Sequence, residues 1–328
     1  MRILTETWHQ SHDFDNDVDM NSFVFYNENR IKCFEGGLLM KRFFAVLLAL
    51  YMALSVFGAV CEEAPFYLAL GDSITTGYGL TEDEKSFPEI VAEKKGYALI
   101  NRAVNGNTAS GIIEQMKDPA VITDIQKADM ITITCGGNDL MGMLYEYVAE
   151  IYNGDAPETM KIQPGDILGI LSNPADLRYQ AVMLAAMTAL NGNEEMGVTP
   201  FLQSLDVQLA MADFLKNMGV ILTGIKMTNP DARIIFATQY NPYRFFTGVY
   251  QGMNEAMEVG ANLLSSSITA YSHVLGYEVA DVYAAFGESE VNLCNADMAT
   301  MNLDFHPNAK GHEMIADCVL NVLAPAAE

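Results

Sequence analysis

The chain has 328 residues, half of them hydrophobic, and this length is ample for a single sizeable core. Its 42 acidic residues outnumber its 18 basic residues, so the formal net charge at pH 7 is −24. Such acidity disfavours nucleic acids and anionic membrane surfaces as partners and favours solubility.

The first 61 residues are predicted to lie outside the folded domain. Three residues from position 40, Met-Lys-Arg, are followed by an apolar run at residues 43–60 and by Cys61. This order of a basic and an apolar segment predicts a secretory signal peptide or an uncleaved N-terminal anchor over residues 40–61. Residues 1–39 are largely polar and acidic, and we expect them to be a translated upstream extension that precedes a true start at Met40.

The same segment predicts where the protein acts. We expect an exported protein, secreted or anchored at the outer face of the cell membrane. Membrane contact is then expected only through the N-terminal segment, where that segment is retained. Cleavage after Gly58 and lipoprotein processing at Cys61 both remain open.

The most informative turn follows the first predicted strand. Residues 66–70 are an apolar run with the length of a buried strand, and Gly-Asp-Ser follows at residues 71–73. Ligands of open α/β sheets bind at the carboxyl ends of the strands. A helix that starts just past Ser73 would direct its free N–H groups and the positive end of its dipole at the same spot. Ser73 is therefore the candidate nucleophile.

Two later strands also run into polar, glycine-containing segments. Residues 101–108 read NRAVNGNT and contain Gly106, and residues 131–139 read ITITCGGND and contain Asn138. Both segments lie at element boundaries where a site can form. Asp72 and Asp139 directly follow strands, and each is expected to cap a loop or a helix start.

Residues 140–228 interrupt the alternation of strands and helices, because they are too long for one crossover. They are predicted to be mostly helical, most clearly at 181–190 and 201–227, and to stand over the catalytic face as an insertion. The methionines of this insertion primarily indicate core packing, with a substrate-lining role as the alternative: Met183, Met187, Met211 and Met218. Four aromatic residues after the fourth strand are candidates to line the same cleft: Tyr240, Tyr243, Phe245 and Phe246.

The last motif lies before the C-terminal helix and reads DFHPNAKGH at residues 304–312. His306 precedes a proline on a loop, where the restricted backbone can hold the ring in one direction. His306 is therefore the candidate general base. His273 and His312 are expected to be structural, at the end of one helix and in the first turn of the last.

The predicted elements alternate along the chain, with the insertion as the one interruption. Strands are expected near 66–70, 98–103, 130–135, 233–239 and 277–281, and helices near 87–95, 108–127, 250–275 and 309–323. Such alternation predicts a parallel sheet. We expect one domain over residues 62–328, a three-layer α/β/α sandwich with a flavodoxin-like, five-stranded parallel sheet.

Ser73, Gly106, Asn138 and His306 occur in this order, and the chain resembles the SGNH (GDSL) hydrolases, a family of serine esterases and lipases. The resemblance runs from about residue 66 to the C-terminus, apart from the insertion. It implies hydrolysis of acyl or acetyl esters of lipids or glycans, with Ser73 as nucleophile and His306 as base. It also implies an oxyanion hole made of the backbone N–H groups of Ser73 and Gly106 and the side-chain amide of Asn138.

The acidic partner of the histidine departs from the family pattern, which has Asp three residues before His. Leu303 holds that position here, and Asp304 lies two residues before His306. We expect Asp304 to orient the imidazole, with Asn302, Asp297 or a backbone carbonyl as alternatives. The displaced acid also keeps open a second function, that of an exported binding or scaffold protein without catalysis.

The cysteines and histidines show no metal-ligand spacing, so no metal and no cofactor are expected. Cys135 ends a predicted buried strand and is expected to be a core residue. Cys294 and Cys318 are expected either to pair or to stay free.

Overall fold

A computed structural model describes residues 64–171, 173–190, 198–300 and 302–324 of the protein. The expectations for residues 1–39, for the segment 40–61 and for Cys61 lie outside the described residues. Within the described part of the chain, no helix is both long enough and apolar enough to span a membrane.

A five-stranded, fully parallel sheet forms the centre of the fold. Its strands are Phe66–Leu70 (β1), Ala98–Asn101 (β2), Met130–Ile133 (β3), Arg233–Ala237 (β4) and Glu278–Ala280 (β5). The spatial order is β2-β1-β3-β4-β5. In this order the connections reverse direction between β1 and β3, which opens a crevice at the carboxyl ends of these two strands. The predicted flavodoxin-like sheet is confirmed.

Twelve α-helices are described around the sheet. They are Ser73–Thr76 (α1), Phe87–Lys95 (α2), Ala109–Gln115 (α3), Pro119–Lys127 (α4), Gly137–Asp155 (α5), Ile167–Leu171 (α6), Tyr179–Leu190 (α7), Val198–Gln203 (α8), Leu205–Thr228 (α9), Gln251–Leu275 (α10), Val282–Glu288 (α11) and Ala309–Leu323 (α12). Helix α2 packs against α12, and α3 and α4 pack against α9. The three central strands β1, β3 and β4 are almost fully buried between these helices, so the core lies on both faces of the sheet.

Two helical predictions outside the insertion need correction. The helix predicted over 108–127 is two helices, because Asp118 accepts the N–H of Ala120 at 2.8 Å and Pro119 opens a new helix. Helix α11 was not predicted, although Asp281 caps it by accepting the N–H of Ala284 at 3.0 Å.

The predicted strands are close to those observed, but four of them end earlier than expected. The strand predicted over 98–103 stops at Asn101, whose side-chain oxygen accepts the N–H of Ala103 at 3.0 Å. A side chain that bonds to its own backbone two residues on forms a turn, and the ladder ends there. Cys135 lies beyond the end of β3 and is buried, as expected, while Cys294 and Cys318 are free thiols.

The insertion between β3 and β4 is helical, as predicted, but the helix expected over 201–227 is broken at Ser204, whose hydroxyl caps α9 by accepting the N–H of Val207 at 3.3 Å. The insertion also begins earlier than residue 140. Helix α5 starts at Gly137, so Asn138 lies in the first turn of a helix rather than in a loop. Met211 and Met218 of α9 are buried in the core, which agrees with the expectation of packing.

Candidate active site

Ser73 is held at the carboxyl end of β1 by a tight turn. Gly71 has a φ of +151°, and a Cβ there would lie 2.3 Å from the Thr134 hydroxyl, so the turn requires glycine. The carboxylate of Asp72 then accepts the N–H of Ile74 at 3.0 Å and the hydroxyl of Thr134 at 2.8 Å. Ser73 is thus the first residue of α1, at the positive end of this short helix.

His306 connects Ser73 to Asp304. Its Nε2 lies 3.0 Å from the Ser73 hydroxyl, and its Nδ1 lies 2.5 Å from Oδ1 of Asp304. A carboxylate can only accept, so the Nδ1 proton is donated to Asp304 and Nε2 is left to accept the proton of Ser73. This is the arrangement of nucleophile, base and orienting acid.

Asp304 reaches the ring despite its spacing of two residues, because its side chain folds back on its own loop. The same Oδ1 also accepts the backbone N–H of His306 at 3.1 Å, and Oδ2 accepts the Asn295 amide at 3.2 Å. Partial burial raises the pKa of Asp304, but the bonds from His306 outweigh it and hold this pKa below its ordinary value. Asp304 is therefore an anion at neutral pH.

The alternative partners for the ring have other contacts. The Asp297 carboxylate accepts the Ala299 N–H at 3.0 Å and the Thr300 hydroxyl at 2.9 Å, so it closes a turn. Asn302 accepts the Asp304 N–H at 3.0 Å and thereby supports the acid instead of replacing it. Among the described residues, the carboxylate bonded to the His306 ring is that of Asp304.

Aromatic residues hold the histidine loop in place. Tyr243 donates to the Leu303 carbonyl at 2.8 Å, and Tyr240 donates to the Phe305 carbonyl at 3.2 Å. The ring of Tyr78 lies 4.5 Å from that of His306. Sequence reasoning did not find the roles of Tyr78 and Asn295, since no local signal shows that either residue lies against the histidine loop.

The expectation for four cleft aromatics is correct for two of them. Tyr240 and Tyr243 line cavities beside Ser73. Phe246 is instead buried and packs against Tyr243, and Phe245 lies under the Arg244 guanidinium.

Gly106 and Asn138 border the same cavity as Ser73 and His306. Gly106 has a φ of +75° and open space where a Cβ would be, so glycine is needed here for the backbone conformation rather than for room. The Asn138 amide donates to the Asn107 carbonyl at 2.9 Å, and its second N–H belongs to the same fixed group.

The neighbouring carboxylates have capping roles, as expected. Asp139 accepts the Ala109 N–H at the start of α3, at 3.1 Å and 3.3 Å. Burial raises the pKa of Asp72 to about 6, although bonds from Thr134 and Ile74 oppose this shift.

His312 is buried and accepts the Phe87 N–H at 3.2 Å, so it has a structural role.

Two cavities adjoin Ser73. The large cavity, of about 680 Å³, extends from Ser73 and His306 to the insertion, where Met183 and Met187 line it. The small cavity, of about 90 Å³, lies beside Ser73 and Asn138 and is mostly apolar. The methionines of the insertion are thus divided, since Met183 and Met187 border the large cavity while the two of α9 pack the core.

The model of the GDSL-like lipase/acylhydrolase family matches residues 69–314, from β1 to α12. The chain belongs to this family. Family membership identifies this GDSL protein as an ester hydrolase of the esterase and lipase type, and it confirms the resemblance drawn from the four motifs.

Three relatives of this GDSL protein illustrate the match. It is 23% identical to the uncharacterized protein YpmR of Bacillus subtilis over 262 residues, which are 78% of this chain and 80% of YpmR. It is 37% identical to the spore germination lipase LipC of Bacillus licheniformis over 90 residues, which are 26% of this chain and 42% of LipC. The crystal structure of phospholipase A1 from Streptomyces albidoflavus NA297 matches with a TM-score of 0.50 at 20% identity, over 80% of this chain and 100% of that one, which shows a shared fold.

Proposed function

We propose that the protein is an exported serine hydrolase that cleaves carboxylic esters through Ser73, His306 and Asp304. The observation that carries this proposal is the pair of contacts made by one imidazole, 3.0 Å to the serine hydroxyl and 2.5 Å to the carboxylate. The backbone N–H groups of Ser73 and Gly106 and the amide of Asn138 are the proposed oxyanion donors, since all three residues border one cavity.

The reaction proceeds through an acyl-enzyme. Ser73 attacks the ester carbonyl while Nε2 of His306 takes its proton, and Asp304 stabilises the imidazolium that forms. The oxyanion donors stabilise the negative charge on the former carbonyl oxygen. The intermediate then collapses, the C–O bond to the alcohol breaks, and Nε2 gives its proton to the leaving alcohol. Water, activated by the same nitrogen, hydrolyses the acyl-serine in a second round.

The proposed substrates are esters of lipids or glycans outside the cytoplasm. The basic and apolar segment at residues 40–61 supports export. The likeness to a protein named a spore germination lipase supports a lipid ester. The net charge of −24 supports a partner other than nucleic acid.

The alternative of an inactive scaffold depended on the displaced acid. The bond from the imidazole to Asp304, made in spite of the changed spacing, supports catalysis over the scaffold alternative. Activity and scaffold function still differ in one measurable property, the nucleophilicity of Ser73.

A fluorophosphonate probe tests the proposal, since it labels only an activated serine. We expect labelling of the native protein, loss of labelling in Ser73→Ala, and retention in Ser110→Ala, where an exposed serine of α3 is changed. Mass spectrometry of the labelled peptide should place the adduct on Ser73. A folded native protein that stays unlabelled would overturn the proposal.

A further inference from the structure

The residues that line the large cavity change from polar at its rim to mostly apolar in its interior. Its exposed rim near the catalytic residues is formed by polar groups of Tyr78, Asn105 and Asn302. Apart from Asp304 and His306, the described residues that line this cavity include no Asp, Glu, Lys, Arg or His. The interior therefore suits the hydrocarbon part of an ester, and the rim suits its polar part.

Helix α5 leads from the proposed oxyanion hole into this apolar interior. One face of the helix lines the cavity, with residues at helical spacing: Asn138, Met141, Leu144, Tyr145 and Val148. This stripe from Asn138 to Val148 is about 15 Å long at a rise of about 1.5 Å per residue. An extended hydrocarbon chain advances about 1.25 Å per carbon, because its bonds of about 1.5 Å zigzag at tetrahedral angles, so about twelve carbons span this length.

Helix α7 forms a second wall. Its residues that line the cavity also recur at helical spacing, on one face: Tyr179, Met183, Ala186, Met187 and Leu190. Unbranched, flexible methionine side chains adapt to an unbranched chain. Burial raises the pKa of Tyr145 to about 12, which is consistent with a poorly hydrated interior on the facing helix.

The catalytic chemistry fixes which part of an ester lies at which end. The leaving oxygen must lie beside His306, which returns the proton to it. Tyr78 contacts the His306 ring and belongs to the polar rim, so the alcohol part faces the rim. The acyl chain then extends the other way, past Asn138 and along α5 and α7.

We propose that the insertion forms an acyl groove, and that the substrate is an ester of a long unbranched fatty acid, of about twelve carbons, with a small polar alcohol. This inference rests on the proposed function and narrows its substrate from lipids or glycans to acyl lipids. Acetylated glycans are disfavoured, because an acetyl group would leave the groove empty.

The small cavity offers the competing arrangement. At about 90 Å³ it is smaller than the cavity of about 150 Å³ that is known to hold benzene, so it fits an acetyl group. In that arrangement the short acyl group enters the small cavity and a bulky alcohol occupies the large one. The two arrangements predict opposite preferences for acyl length.

A series of p-nitrophenyl esters from acetate to palmitate distinguishes the two arrangements, since the alcohol part is constant and only the length of the acyl chain varies. We expect kcat/KM to be highest near the dodecanoate ester. Ala186→Trp fills the groove from α7 and should lower the ratio of dodecanoate to butyrate activity at least about tenfold. Leu184→Trp is the matched control, because Leu184 is exposed on another face of the same helix, and it should leave this ratio within about twofold.

A binding measurement keeps the test independent of catalysis. In the Ser73→Ala background, the fluorescent fatty acid cis-parinaric acid should bind saturably, and Ala186→Trp should weaken its binding at least about fivefold. Thermal unfolding of each variant checks the fold, and Ala186→Leu replaces the tryptophan variant if that variant does not fold.

The outcomes separate the two proposals. An unlabelled Ser73 together with parinarate binding that depends on Ala186 would refute catalysis and leave the groove in place. A labelled Ser73 with highest activity on acetate, and a ratio that Ala186→Trp does not change, would overturn the acyl groove and favour the competing arrangement.

Discussion

Asn138 donates its side-chain amide to the backbone carbonyl of Asn107 at 2.9 Å, and this bond joins the start of α5 to the turn that contains Gly106. Two of the three proposed oxyanion donors are therefore fixed relative to each other before substrate binds. Donors that need no reorganisation stabilise a transition state most effectively.

Asn138→Ala should lower kcat by about 10²–10³-fold with little change in KM, because the bond to the oxyanion forms mainly in the transition state. Steady-state kinetics on one ester separate the two constants. Asn153→Ala is a control on the same helix, where the amide donates to the Ile162 carbonyl instead; it should leave kcat within about threefold. An Asn138→Ala variant with a raised KM and an unchanged kcat would assign this residue to binding.

Ser73→Ala should abolish ester hydrolysis and leave the fold intact. The residues of a catalytic triad act as a unit, so if Ser73 is the proposed nucleophile the expected loss in kcat is about 10³-fold or more. Ester hydrolysis and thermal unfolding are measured on the same preparation. Activity within tenfold of the native protein would show that another group is the nucleophile.

Asp304→Asn should lower kcat/KM by about 10³–10⁴-fold, since an amide that accepts poorly from Nδ1–H favours the wrong tautomer of His306. Asp297→Asn should cost less than about threefold, because that carboxylate closes a turn. The measurement is kcat/KM for both variants on one ester. A mild Asp304→Asn beside an inactive Asp297→Asn would move the acid to Asp297.

The raised pKa of the buried Asp72 carboxyl predicts that the stability of the fold depends on pH. The folded pKa of about 6 lies above the unfolded value of about 4, so the native state keeps a proton that the unfolded state loses between these values. The contribution to stability is present below pH 4 and is lost as the pH rises to about 6, at about 1.4 kcal/mol per unit.

Asp72→Asn removes this loss, because an amide oxygen can accept the same bonds from Ile74 and Thr134 without a charge. The free energy of unfolding of Asp72→Asn minus that of the native protein should rise by about 2–3 kcal/mol from pH 4 to pH 7. Urea unfolding at several pH values measures this difference, in which the other titrating groups cancel. A difference that stays constant with pH would show that burial does not raise the pKa of Asp72.

The sequence was sufficient for the sheet and for the edge at which the site lies, because buried strands and the turns that follow them leave local signals. Ser73 and His306 were predicted from such turns, and the structure places them 3.0 Å apart. Helices were predicted less accurately where a single cap decides: the break at Asp118 was missed, and so was the helix that Asp281 caps.

The features of the site that the sequence did not predict depend on contacts between parts of the chain that no local pattern connects. Asn295 reaches Asp304 across a loop, and nothing local marks it as a partner. Met183 and Met211 are both methionines of the helical insertion, and the sequence does not distinguish them. In the structure Met183 borders the large cavity, whereas Met211 is buried in the core. Only the packing of α7 and α9 distinguishes them.

The two bonds from one oxygen of Asp304 to the ring and to the backbone of His306 make the acid and the base a single mechanical unit. A displacement of this loop would carry the imidazole and its carboxylate together, because both belong to it. The distance from Nε2 to Ser73 instead joins two separate segments of the chain. The spacing of base and nucleophile therefore depends on how the two segments pack, whereas the pairing of base and acid depends on the loop alone.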